Sequence, residues 1–127
     1  MTSGLADTSF FVALEVGRPV RGQVPDELTV SIITIGELRA GVLAAADVES
    51  RDRRLRTLTV ALRFDPVPVD DRVAEAWSRL RVALDQAGRR MPVNDSWIAA
   101  TALSLGVPVV TQDDDYADVP GLAIVRV

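Results

Sequence analysis

Short β-branched runs alternate with stretches of helical periodicity from one end of this chain to the other. That alternation restricts the fold most, because strands separated by helices pair in parallel and need helices on both faces of the sheet. Residues 4–7 read as a first strand ending at Asp7, and Thr8 or Ser9 can cap a helix through Phe10, Phe11 and Leu14. Gly17, Pro19, Gly22 and Pro25 mark a loop. Residues 28–32 read as a second strand. A helix follows over 33–46, with Ile35, Leu38 and Val42 at helical spacing. Asp47 caps a helix over 48–62, and residues 65–69, which include Pro66 and Pro68, form a short strand in which the prolines mark an edge or a strand start. Asp70 or Asp71 caps an amphipathic helix carrying Val73, Trp77, Leu80 and Leu84, ended by Gly88. Asn94 caps a helix over 95–105, closed by Gly106. A strand over 107–111, a helical turn over 113–117 and a strand over 122–127 complete the chain. No repeat or linker interrupts the series, so residues 1–127 make one α/β domain with a central parallel sheet between two helical layers.

The residues that are missing narrow the chemistry. With no cysteine and no histidine, thiolate catalysis, disulfides, cysteine-ligated zinc and the Ser-His and Cys-His nucleophile systems are excluded. All 14 basic residues are arginine, so a Schiff base and a P-loop are excluded too. A catalyst built from what remains relies on Asp, Glu, Ser, Thr, Tyr and Arg. Carboxylates holding a divalent cation are the most capable entry on that menu. The net charge of −4 argues against a broadly basic nucleic-acid surface, but carboxylates gathered in one pocket can produce it, and a bound cation reverses the local sign. There is no secretory signal and no long apolar run, which points to a soluble cytoplasmic protein.

Asp113-Asp114-Asp115 directly follows the strand over 107–111, and three like charges in a row call for compensation. Three further acids take corresponding places. Asp7 ends the first strand, Glu37 lies in the first turn or so of the helix after the second, and Asp95 opens a helix. In a parallel sheet the carboxyl ends of the strands share one edge, where ligands bind, so Asp7, Glu37, Asp95 and Asp113 can converge there. Singly, each has a structural alternative: Asp7 as a cap, Glu37 as a solvated helix carboxylate, Asp95 as a helix-dipole partner and Asp113–Asp115 as a capping loop. Together they raise one another's pKa values unless a hard cation, Mg²⁺ or Mn²⁺, sits among them. Such an ion activates water and neutralises charge on a phosphate, which favours phosphodiester hydrolysis.

Four segments, in order along the chain, carry a resemblance: Leu5-Ala6-Asp7-Thr8-Ser9; Ile35-Gly36-Glu37-Leu38-Arg39 with Gly41; Asn94-Asp95-Ser96-Trp97-Ile98-Ala99-Ala100-Thr101-Ala102; and Val110-Thr111-Gln112-Asp113-Asp114-Asp115-Tyr116. Each is weak alone, and the ordered set resembles the PIN-domain ribonucleases of the VapC toxin type. The resemblance implies a single PIN domain with strand order 3-2-1-4-5 and an endoribonuclease dependent on Mg²⁺ or Mn²⁺. It also implies a homodimer and a cognate VapB-type antitoxin that wraps the helices after the second strand. By the same resemblance Asp7, Glu37, Asp95 and Asp113 match the family's acidic quartet, with Asp7, Asp95 and Asp113 as metal ligands. Asp115 matches a further catalytic acid and Ser9 a pocket-lining residue. Tyr116 stands where phenylalanine is usual, and Asp114 has no counterpart role.

Other residues are read individually. Thr111 either bonds within the pocket or ends the strand. Arg89 and Arg90, just before Asp95, are candidates to contact RNA, whereas Arg51, Arg53, Arg54 and Arg56 read as a solvated face balanced by Glu49 and Asp52. Trp77 belongs to the core or to a dimer interface, and Trp97 packs against the sheet or stacks on a base. Two competing functions stay open: a metal-dependent phosphatase or phosphoacceptor domain, disfavoured by the missing lysine, and a non-catalytic scaffold.

Overall fold

The computed structural model describes residues 1–127. Nine elements follow in order: β1 (Ser3–Ala6), α1 (Thr8–Val16), β2 (Glu27–Val30), α2 (Ile32–Leu43), α3 (Val48–Leu62), α4 (Asp71–Gln86), α5 (Val93–Leu105), β3 (Val109–Thr111) and β4 (Ile124–Arg126). The four strands form one parallel sheet in the order β2-β1-β3-β4, with Leu5 opposite both Thr29 and Val109. Alternation along the strands divides the core in two. Ala6 and Val110 face Phe10, Phe11, Ile35, Leu38, Leu58 and Ala61 of α1, α2 and α3. Their neighbours Leu5 and Val109 face Leu80, Leu84, Ile98 and Ala102 of α4 and α5. The three-layer sandwich read from the sequence is therefore present.

The expected fifth strand is reduced to a single bridge. Val67 donates its N–H to the Val30 carbonyl at 2.8 Å and accepts from the Ile32 N–H at 2.9 Å, pairing with Ser31 in parallel. Pro66 and Pro68 on either side have no N–H, so the ladder stops after one residue. With Val67 counted as a strand the order is the expected 3-2-1-4-5; without it four strands remain.

Several element ends also differ from expectation. Asp7, not Thr8 or Ser9, caps α1. Ser31 ends β2 early by capping α2, its Oγ accepting from the Ile33 N–H at 3.0 Å. Of the two candidates at α4, Asp70 is the cap. Helix α5 starts at Val93 with Pro92 at the cap position and no side-chain cap bond, so Asn94 is not a cap but lies inside the first turn. Proline's fixed φ suits this entry. Residues 113–117 form turns rather than helix. No helix is long and apolar enough to cross a membrane.

Candidate active site

Parallel pairing of Ala6 with Val110 brings the carboxyl ends of β1 and β3 together. Asp7, only 1% exposed, is the N-cap of α1. Its Oδ1 accepts from the Phe10 N–H at 3.1 Å and the Ser9 hydroxyl at 2.7 Å, and its Oδ2 accepts from the Thr111 hydroxyl at 2.6 Å. Burial holds the Asp7 carboxyl above its ordinary range, the charge of Asp113 adds to this, and the three donors, Thr111 foremost, offset only part of it. Both hydroxyl protons are thus committed to Asp7, so the 3.2 Å approach of Ser9 Oγ to Thr111 Oγ1 carries no proton between them. The two oxygens accept the N–H groups of Gln112 at 3.0 Å and Asp113 at 2.9 Å instead. Cap, pocket and strand end are one hydrogen-bonded unit, in which Thr111 both ends β3 and bonds within the pocket.

Glu37 lies in the second turn of α2 rather than the first, because α2 starts at Ile32. Its Oε1 accepts from the Thr8 hydroxyl at 2.6 Å. That commits the Thr8 proton, so the wholly buried Thr34 hydroxyl donates to Thr8 Oγ1 at 3.1 Å. Thr34 and Thr8 form a relay that holds Glu37. Thr34 stands three residues before Glu37, on the same helix face, a spacing that could have revealed it.

Asp95 is the third residue of α5 and half-buried. The hydroxyl of the buried Tyr116 donates to its Oδ1 across 3.4 Å. Burial, the facing Asp115 carboxyl and the charges of Glu37 and Asp7 together push the Asp95 pKa from 3.8 up to about 7. Burial and the charges of Asp7, Asp95, Glu37 and Asp113 push the Tyr116 phenol up as well. Partial burial and Asp115 raise Asp113, while Arg126 and Arg18 oppose that shift. None of Asp7, Glu37, Asp95, Asp113 and Asp115 is in an ion pair. The structure thus gathers these five carboxylates into one mutually repelling set made of oxygen donors alone. As the side chains stand, no three of them are close enough together to enclose a metal ion. The donor set suits a hard cation that keeps part of its water shell, as Mg²⁺ does, rather than a dehydrated cage.

The remaining sequence-selected residues fall elsewhere. Arg89 gives its guanidinium to the carbonyls of Ala117, at 2.8 Å, and Asp118, which fastens it to the β3–β4 connection. Arg90 is exposed on a cleft of about 440 Å³ shared with Trp77, Arg81 and Met91. Trp97 packs on α4 rather than on the sheet: its ring stacks on Trp77 with centroids 4.5 Å apart. Trp77 donates its indole N–H to Ser96 at 3.0 Å. Asp114 points outward, as expected, but pairs with Arg126. Arg56 and Asp52 form an exposed pair within α3, and Arg54 donates to the Gly41 carbonyl at 2.7 Å, joining α3 to α2.

A parallel sheet whose carboxyl edge gathers acids from β1, α2, α5 and the β3–β4 connection defines a class, and residues 5–122 match the family model described as PIN domain. The chain belongs to the PIN-domain family, in its VapC branch. It is 46% identical to Ribonuclease VapC5 of Mycobacterium tuberculosis over 98% of this chain and 93% of that protein. It is 45% identical to Ribonuclease VapC4 of the same organism, covering 97% of this chain and 95% of that one. Among solved structures it superposes on VapBC-5 from Mycobacterium tuberculosis, a member of the VapBC family of toxin–antitoxin systems. That match has a TM-score of 0.87 and 42% identity, and covers 100% of both chains.

Proposed function

We propose that this chain is the toxin of a type II toxin–antitoxin pair and acts as a Mg²⁺- or Mn²⁺-dependent endoribonuclease on RNA phosphodiester bonds. The observation that carries the reading is Asp95. It sits at the end of a helix, faces Asp115, feels Glu37 and Asp7, and has no basic partner. Such a set destabilises itself for no structural gain unless a cation joins it. Asp7, Asp95 and Asp113 would hold that ion, and Glu37 and Asp115 would act beside them. A bound divalent ion lowers the pKa of water and neutralises charge developing on the phosphate.

The chain's own residues supply the rest. Ser9 and Thr111 fix both oxygens of Asp7, so this carboxylate is oriented before anything binds. Thr8 and Thr34 do the same for Glu37. With no ion bound, burial and the facing Asp115 keep a proton on the Asp95 carboxyl up to near neutral pH, and a bound cation would displace it. The phosphoacceptor alternative gains no support, because the lysine that would hold a phosphoryl group is absent.

The cognate VapB-type antitoxin would lie on α2 and α3. There Ile32, Leu43, Val48, Leu55 and Leu62 are all more than 40% exposed, and Gly36 leaves open space where a Cβ would stand. A homodimer working in the cytoplasm completes the reading. The deciding experiment is cleavage of RNA by the purified chain with Mg²⁺ or Mn²⁺, alongside Asp95→Asn and a chelator. Sequencing of the cut ends, with and without antitoxin, would identify the RNA. A fully active Asp95→Asn protein would falsify the proposal.

A further inference from the structure

A second feature lies on the other side of Asp113. Arg18, Arg21 and Arg126 line one open cleft of about 640 Å³ with Pro19, Gly22, Gln112 and Val127. These arginines come from distant parts of the chain, and specific contacts bring them together. Gly22 lets the α1–β2 loop lie against the end of β4: a Cβ there would stand 2.3 Å from the Arg126 carbonyl oxygen. The Arg21 N–H donates to the Val127 carbonyl at 3.3 Å. The Gln112 amide crosses the gap, donating to the Pro19 carbonyl at 3.0 Å and accepting from the Arg18 guanidinium at 3.3 Å. The cleft therefore has a fixed floor. Arg18 and Arg21 are in no ion pair, and Arg126 is only partly neutralised by the exposed Asp114.

The chain thus keeps uncompensated positive charge directly beside its uncompensated negative charge. Gln112 and Asp114 flank Asp113 in sequence, and each touches one of the cleft's arginines. Resting on the ribonuclease reading, we propose that Arg18, Arg21 and Arg126 form a subsite for the RNA backbone, holding a phosphate next to the one that is cut. Guanidinium groups bind phosphate oxygens in pairs, and a single strand crossing from this cleft to the acidic pocket meets alternating charge that fixes its register. No base edge is needed, so the subsite sets affinity and position rather than sequence.

The test measures binding of a mixed-sequence single-stranded RNA oligonucleotide in a chelator, by fluorescence anisotropy, across a salt series. The proteins are wild type, R18A/R21A, R18K/R21K and R53A/R56A. Loss of this one phosphate contact reduces the slope of log affinity against log salt by roughly 0.7, the contribution of one neutralised phosphate on a single strand. R18K/R21K restores most of the slope, and R53A/R56A, which removes the same charge from α3, leaves it unchanged. Unfolding midpoints stay close to wild type because Arg18 and Arg21 are exposed. An unchanged slope in R18A/R21A, while wild type binds and cleaves RNA, overturns the subsite and leaves the ribonuclease intact. An equal drop in R53A/R56A overturns it too. A change seen with poly-glutamate but not with RNA assigns the cleft to an acidic polypeptide and likewise overturns it. Wild type that neither binds nor cleaves RNA overturns both readings.

Discussion

Asp7 and Asp95 belong to the same acidic set, yet they are held by opposite means. Asp7 is buried and accepts three hydrogen bonds, one of them from the backbone N–H of the helix it caps. Asp95 caps nothing, accepts one long bond from Tyr116, and is surrounded by other carboxylates. The fold needs the first and tolerates the second. The contrast teaches that the structural and functional readings of a residue need not compete. Asp7 is a helix cap and a candidate ligand with the same two oxygens, whereas Asp95 is a candidate ligand with little structural role of its own.

Substitutions at the two positions should part in stability while agreeing in activity. Asp7→Ala and Asp95→Asn should each cut RNA cleavage by about 10²–10⁴-fold, the range for losing a group that works in the transition state. Only Asp7→Ala should also unfold easily. It removes a cap and strands the Ser9 and Thr111 hydroxyls, for about 2–4 kcal/mol in a denaturant titration. Asp95→Asn should match or exceed wild-type stability when no divalent ion is present. An Asp95→Asn protein destabilised as much as Asp7→Ala would erase the distinction.

Dependence on pH separates them in degree, because both carboxyls are raised but only Asp95 as far as about 7. The Asp95 pKa rises from 3.8 to about 7 on folding. Between those values the native state binds more protons than the unfolded state, so stability falls as pH rises through the window. Without divalent ions the unfolding midpoint should decline by a few degrees from pH 4.5 to pH 7.5. Asp95→Asn should flatten that decline, and millimolar Mg²⁺ or Mn²⁺ should raise the wild-type midpoint at the upper end, since a ligand binding only the native state stabilises it. A midpoint that climbs steadily with pH in metal-free wild type would contradict the assignment of repulsion to Asp95.

Smaller effects belong to the groups that orient the acids. Thr8→Val removes the donor to Glu37 and should lower cleavage by about tenfold, the equivalent of roughly 1.4 kcal/mol, and should cost about 1–3 kcal/mol in stability because the buried Thr34 hydroxyl loses its acceptor. Tyr116→Phe keeps the ring that packs beneath Asp95 and loses one 3.4 Å bond. It should cost about 0.5 kcal/mol or less and move the pH profile of cleavage slightly. A large loss of activity in Tyr116→Phe would mean that Asp95 is held more firmly than its single bond indicates.

The acids were legible in the sequence because Asp7, Asp95 and Asp113 sit where a strand stops or a helix starts, with Glu37 about a turn into α2, and because histidine, cysteine and lysine are missing. Their holders were less visible. Thr34 and Thr8 are ordinary helix residues until the fold sets them against each other. The start of α5 misled because Asn94 is a good cap residue by type, whereas Pro92 enters the helix two residues earlier through its fixed φ. The arginines nearest Asp95 in sequence drew attention, yet Arg89 spends its donors on the Ala117 and Asp118 carbonyls. Arg18, Arg21 and Arg126 were overlooked because the contacts that join them, at Gly22, Arg21 and Gln112, connect parts of the chain that lie far apart in sequence. The alternation of elements reported the three layers correctly, since side-chain period and burial reflect the same geometry.

The proline-flanked bridge at Val67 has an effect on the outside of the sheet. Along a strand, neighbouring residues turn their backbone groups to opposite sides, so Val67 faces β2 and its flanking residues Pro66 and Pro68 face away. Neither proline has an N–H to offer. This margin therefore presents no amide donors to a passing strand, and it resists the edge-to-edge growth that seeds aggregates. A binding partner cannot extend the sheet at this margin.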